Sequence, residues 1–159
     1  MDILDEEILS LWRLFYQNKV LYIMVGGFAT NLHGYQRTTG DLDIWIKDSL
    51  DNRKRIRSAL KELNIGDFKS IETMEFVPGW STINLSSGFE LDIMTSMKGL
   101  PQEMFNEAYE IAPTAIIVDI PVKFLHINQL IEAKKASGRQ KDLIDVIELE
   151  KIKKKISEK

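Results

Sequence analysis

Apolar residues recur along this chain in two rhythms. Between residues 2 and 18, Ile3, Ile8, Leu11, Trp12, Leu14 and Phe15 repeat at helical spacing. Asp2, Asp5, Glu6 and Glu7 gather at the end of that stretch where a helix favours negative charge. "VLYIMV" (20–25) is a short β-favouring run and predicts a strand. It passes into "GGFATNLHGY", where two glycines precede a short helix-compatible segment that Gly34 closes. After the polar loop "QRTTG", the run "DLDIWI" (41–46) alternates, with Asp41, Asp43 and Trp45 on one face and Leu42, Ile44 and Ile46 on the other.

"SLDNRKRIRSALKELN" predicts an amphipathic helix that turns Ile56, Ala59, Leu60 and Leu63 inward. Residues 65–79 follow neither rhythm. "WSTINLSSGFELDIMTS" predicts two strands paired around Ser86, Ser87 and Gly88. Pro101 opens a short helix to about Tyr109, and "AIIVDIPVKFL" predicts a strand broken or edged by Pro121. Two helices follow, over roughly 126–137 and 139–156, separated by Gly138, with fraying expected from Lys151 to Lys155. This order predicts an α+β (α/β-like) class: a small mixed β-sheet flanked by helices, in a single domain over 1–159. The core spans about 20–125 and the C-terminal helices about 126–156.

Composition narrows the chemistry. The sequence has no cysteine, which excludes disulfides, thiolate zinc and a cysteine nucleophile. Its two histidines are too few for a multi-histidine cage, so any metal is expected to be held by oxygen, as Mg²⁺ or Mn²⁺ is. A net charge of −3 argues against a general nucleic-acid coat. The segment "MDILDEEILSL" is acidic where a secretory signal is basic, and no apolar run is long enough to span a bilayer. No membrane partner and a cytoplasmic location are therefore expected.

The candidate chemistry begins with the carboxylates in "DLDIWI". Residues i and i+2 of a strand point the same way, with Cα atoms roughly 6–7 Å apart. Two bare carboxylates so placed repel, and a cation between them relieves the repulsion. An exposed edge strand with solvated aspartates is the plain alternative. Asp92 sits in a second apolar strand with Glu90 on its own face, and it completes a three-carboxylate cluster if the two strands are neighbours. Gly26 and Gly27, between a strand and a helix, allow backbone N–H groups to approach a phosphate. A tight strand-to-helix turn would use the same residues.

Taken together, "VGGFATNLHGYQRTTGDLDIWI" resembles the opening motif of the nucleotidyltransferase superfamily, the DNA polymerase β-like fold. The spacing of Arg37, Thr39, Asp41 and Asp43 resembles bacterial forms that include AbiEii-like toxin and antibiotic nucleotidyltransferases. "EAKKASGRQKDLIDVIEL" is similar to the helical motif of the AbiEii-like group at Lys134, Arg139, Lys141, Asp142 and Asp145. The resemblance implies transfer of a nucleoside monophosphate from an NTP to a hydroxyl acceptor: a tRNA end, a protein side chain or an antibiotic. It implies Mg²⁺ or Mn²⁺ held by Asp41, Asp43 and Asp92, with Asp92 taking the hydroxyl proton. Gly26 and Gly27 would seat the outer phosphates, and Arg37 with Thr38 or Thr39 would steady phosphate oxygens. Lys134 and Lys141 would reach the triphosphate or acceptor, unless they only line a solvated helix face. A toxin–antitoxin partner is also implied.

Other residues read more plainly. His33 is expected to pack or cap, and His126 to begin a helix. Trp45 and Trp80 have the chemistry to stack a base, although packing against the core or sheet is the simpler expectation. Asp142 and Asp145 are expected either to pair with Arg139 or Lys141 or to support the site. The basic run "NRKRIR" reads as an outer helix face, with RNA contact as its alternative. Two further functional readings remain: a non-catalytic nucleotide-binding or antitoxin-like module, and a metal-dependent phosphohydrolase.

Overall fold

The computed structural model describes residues 5–158. Helix α1 (Glu6–Gln17) begins where the Asp5 carboxylate accepts from the Glu7 and Ile8 amides, at 3.0 and 3.4 Å. Ile8, Leu11, Trp12 and Phe15 form its buried stripe. Asp2 and Ile3, which the pattern assigned to this helix, lie outside the described residues.

Strands β1 (Tyr22–Val25), β2 (Asp41–Ile46), β3 (Thr82–Asn84) and β4 (Glu90–Met94) make one mixed sheet in the order β1-β2-β4-β3. β2 runs antiparallel to β1 and parallel to β4, while β3 is antiparallel to β4. The predicted strand pair around Ser86–Gly88 is therefore present, and it lies beside "DLDIWI". Helices α2 (Gly26–Leu32), α3 (Leu50–Glu62), α4 (Phe105–Ile111), α5 (Ile127–Ser137) and α6 (Gln140–Ser157) complete the α+β arrangement. Gly138, with φ +69°, closes α5 in the left-handed conformation that favours glycine. α6 runs on through the lysine-rich stretch to Ser157, where fraying was expected.

Several expectations need revision. The run 115–125 is a hairpin rather than one interrupted strand: β5 (Thr114–Ile117) pairs with β6 (Ile120–Lys123) as a separate two-stranded sheet. Val118 makes the turn at φ +63°, a conformation costly for a β-branched residue. Trp45 shares its face with the aspartates only nominally. It is fully buried, its Nε1 donates to the Thr95 carbonyl at 2.7 Å, and its ring meets Phe105 edge-on at 5.2 Å. It therefore has no face free for a base. The helix expected from Pro101 starts as a 3₁₀ turn, Gln102–Met104, before α4.

Much of the basic run on α3 is used internally, although Lys54 is exposed. Asn52 is fully buried and ties the Leu21 amide and carbonyl to the Lys47 carbonyl, at 2.7, 2.9 and 2.8 Å. Arg53 donates to the carbonyls of Ile71 and Met74 and stacks over Phe76, 4.7 Å from its centroid. Arg57 pairs with Asp67 and Glu72. These bonds hold residues 67–76, including the 3₁₀ turn Lys69–Glu72, against α3. Among the described residues, no helix is long and apolar enough to cross a membrane.

Candidate active site

Sheet register decides what the aspartates can do. Asp43 of β2 stands directly opposite Asp92 of β4, and Asp41 opposite Glu90. Both strands are central, so alternation sends Asp43 and Asp92 to one face, about 4.8 Å apart along the hydrogen-bonding direction. Asp41, Asp43 and Asp92 all line a cleft of about 650 Å³ whose far wall comes from α5 and α6, with Leu130, Lys134, Lys141 and Asp142 among its lining residues.

Electrostatics make this pair costly. Burial pushes the Asp43 carboxyl up to about 7, with the Asp92 and Asp41 charges adding to it and Lys141 and Lys134 opposing. Asp92 is raised too, chiefly by burial and then by the Asp41 and Glu90 charges, against the bond from the Gly79 amide. That amide donates to Asp92 Oδ2 at 2.8 Å, while Asp92 Oδ1 is buried with no partner among the described residues. Among the described residues, no three carboxylate or imidazole groups stand together closely enough to cage a metal ion as they lie. The donor chemistry nonetheless fits a hard cation: oxygen ligands only, mutual repulsion to relieve, and one buried carboxylate oxygen left unmatched.

Glycine explains how Asp43 fits. Gly26 has φ +67°, and a Cβ on it would lie 2.1 Å from Asp43 Oδ2. The glycine pair forms the first turn of α2 rather than a loop before it. Gly26 lines the cleft, whereas Gly27 packs against Thr39, whose Oγ1 would be 2.6 Å from a Cβ there. Gly26→Ala should displace the Asp43 carboxylate and cost roughly 1–3 kcal/mol by overpacking. A thermal melt checks this, and an unchanged melting temperature would mean that the contact is not tight.

The remaining predicted residues divide. Lys134 and Lys141 line the cleft. Arg37, Thr38 and Thr39 do not: Thr38 is exposed, Thr39 donates to the Asp41 carbonyl, and Arg37 turns toward α6. Arg37 Nη2 donates to Asp145 Oδ2 at 2.9 Å, and Lys134 Nζ reaches the same oxygen at 2.7 Å. Asp142 receives Arg139 at 2.7 Å and lies 3.9 Å from Lys134. Burial alone would raise Asp142, yet Arg139 and Lys134 carry it below the ordinary carboxylate value. Asp142 and Asp145 are thus buried counter-charges that fix Lys134 at the wall, and their partners are Lys134, Arg139 and Arg37 rather than Lys141.

Pattern reading missed Gly79, Ser96, Lys98 and Ser137, which also line the cleft. No motif marks them; only the hairpin beside β2 brings 79 and 96–98 there. His33 caps α2, and its Nε2 bonds the Leu125 carbonyl at 2.7 Å, with burial holding it below the usual imidazole range. His126 accepts from the Asn128 amide at the start of α5. Both histidines are structural.

Residues 1–157 match a family described as "Nucleotidyltransferase of unknown function (DUF6036)". Among solved structures, the chain is similar to the lincomycin-bound lincosamide antibiotic adenylyltransferase LnuA. The identity is 16% and the TM-score 0.61, over 96% of this chain and 99% of that one. An antigenic nucleotidyltransferase-like protein from Paracoccidioides brasiliensis matches at 20% identity and TM-score 0.52, over 90% and 72% of the two chains. The antibiotic-resistance factor ANT(2″)-Ia matches at 16% and 0.50, over 90% and 80%. These likenesses are ones of fold, and they place the mixed sheet and flanking helices in the nucleotidyltransferase class. No curated protein matches the chain.

Proposed function

This chain belongs to the DUF6036 family of nucleotidyltransferases, and we propose that it moves a nucleoside monophosphate from an NTP to a hydroxyl acceptor, with Mg²⁺ or Mn²⁺. One observation carries this reading. Two carboxylates in register on adjacent central strands face a cleft whose opposite wall presents Lys134 and Lys141. Such a site has acidic groups for a cation on one side and cations for phosphate on the other.

Asp41, Asp43 and Asp92 would hold the divalent ions. When bound, such ions lower the pKa of an acceptor hydroxyl and offset charge at the attacked phosphorus. The chain's own groups do the rest. Asp92, already raised toward proton uptake, accepts the hydroxyl proton as the acceptor oxygen forms its bond to the α-phosphorus. The bond from that phosphorus to the bridging oxygen breaks, and pyrophosphate leaves. Lys141, with no carboxylate partner among the described residues, and Lys134, fixed by Asp145, steady phosphate oxygens. Gly26 gives the triphosphate a backbone surface without a side chain. Arg37 acts at one remove, by holding Asp145.

Incubation with NTPs labelled at the α-phosphate should test the reaction, using cell RNA, cell protein and lincomycin as separate acceptor pools. Label should appear in one pool, disappear with EDTA and return with added Mg²⁺. No transfer to any pool would overturn the proposal and favour a nucleotide-binding module. Release of free nucleotide without transfer would favour a phosphohydrolase.

A further inference from the structure

The three tryptophans are treated very differently. Trp12 and Trp45 are fully buried, whereas Trp80 is 85% exposed. Its position is not a loose loop tip. Trp80 and Ser81 amides donate to the Val77 carbonyl at 2.9 and 3.1 Å, and the Ser81 hydroxyl accepts from the Val77 amide at 2.8 Å. The Ile93 amide then ties Ser81 to β4 at 3.0 Å. Behind the turn, Phe76 is buried under Arg53. Inside the same turn, Pro78 and Gly79 line the cleft, and the Gly79 amide bonds Asp92. A well-bonded turn therefore holds the proposed proton acceptor by one residue and offers an indole to solvent with the next.

We infer that Trp80 is the platform on which the acceptor stacks, and that the acceptor carries its reacting hydroxyl on or beside a flat ring face. The inference deepens the nucleotidyl-transfer reading and rests on its assignment of Asp92 to the acceptor side. Trp80 is not itself part of the cleft lining, but it directly follows Pro78 and Gly79, which are, with Cα atoms about 3.8 Å apart, so a ring stacked on it lies next to the turn that anchors Asp92. Indole faces bind nucleobases, and the apolar face of a sugar presents similar flat surface. Both sources share this chemistry.

Fluorescence separates them. Trp80 is the tryptophan open to acrylamide, and Trp80→Phe identifies its contribution. With Mg²⁺ and a nonhydrolysable NTP present, either a single-stranded RNA oligonucleotide or lincomycin should protect Trp80 and at least halve its quenching. The protecting probe names the source. With that acceptor, Trp80→Ala should raise its KM by roughly five- to hundred-fold, the range expected for losing one stacking contact. Trp80→Phe should restore most of the affinity, and the KM for NTP should hold steady in both variants. Failure of both probes to protect would overturn the inference. So would full protection by the NTP alone, because the indole would then serve the nucleotide. Protection without any label transfer would leave Trp80 as a ring-binding residue and count against the transferase reading instead.

Discussion

Asp43→Asn should reduce nucleotidyl transfer by roughly a thousand-fold or more while making the metal-free protein more stable above neutral pH. The two effects have one cause. In the folded chain burial and the Asp92 and Asp41 charges raise Asp43 to about 7, from an ordinary 3.8. The unfolded chain therefore gives up this proton first. The contribution of Asp43 to stability is complete below the unfolded pKa, is lost progressively as pH rises, and is gone above the folded pKa. The loss between about pH 4 and pH 7 is on the order of 4 kcal/mol. Asparagine keeps the shape of the neutral acid and cannot ionise. Wild type and variant should thus match near pH 4 and diverge as pH rises to 8, with the variant ahead. Added Mg²⁺ should raise the melting temperature of the wild type and leave that of the variant nearly unchanged. Equal melting curves at pH 8 would show that Asp43 carries no such repulsion.

Asp145→Ala should do the opposite to stability. Asp145 is 1% exposed and Lys134 6% exposed, and Asp145 Oδ2 serves both Lys134 and Arg37. Removing it leaves a buried ammonium with only the more distant Asp142, at a cost of about 3–5 kcal/mol. Against a typical total of 5–15 kcal/mol, that is enough to bring the domain near unfolding. Urea denaturation reads the change directly as a lower midpoint at similar slope. Lys134→Met combined with Asp145→Leu removes the buried ammonium together with its carboxylate and should recover part of the loss, the remainder reflecting Arg37, which also loses Asp145, while Asp142 keeps Arg139. A loss below about 1 kcal/mol for Asp145→Ala would mean that water reaches Lys134 in solution.

Much of this arrangement could be read from local pattern because the residues that set it are local. The alternation in "DLDIWI", the glycine pair before α2, and Gly138 between α5 and α6 each act through neighbours a few positions away. β2 pairs with β4, and the two runs "DLDIWI" and "FELDIM" share the apolar setting that suits central strands. What pattern could not supply came from distant partners. Arg37 and Asp145 are 108 residues apart, so the tie of this arginine to α6 has no local signal beside the motif. Residues 67–76 take their shape from Arg53 and Arg57 on α3, whose own pattern gives no hint of the carbonyls they serve. The β5–β6 turn carries valine at positive φ where glycine or asparagine would have announced it.

In the proposed reaction, acidic groups of β2 and β4 gather a divalent cation beside a bound triphosphate. Electron paramagnetic resonance of Mn²⁺, titrated into the protein with a nonhydrolysable NTP, measures this most directly. The expected result is bound Mn²⁺ in the ternary mixture that falls to the level of NTP alone when Asp43 is replaced by Asn. Equal Mn²⁺ binding by wild type and variant would contradict it.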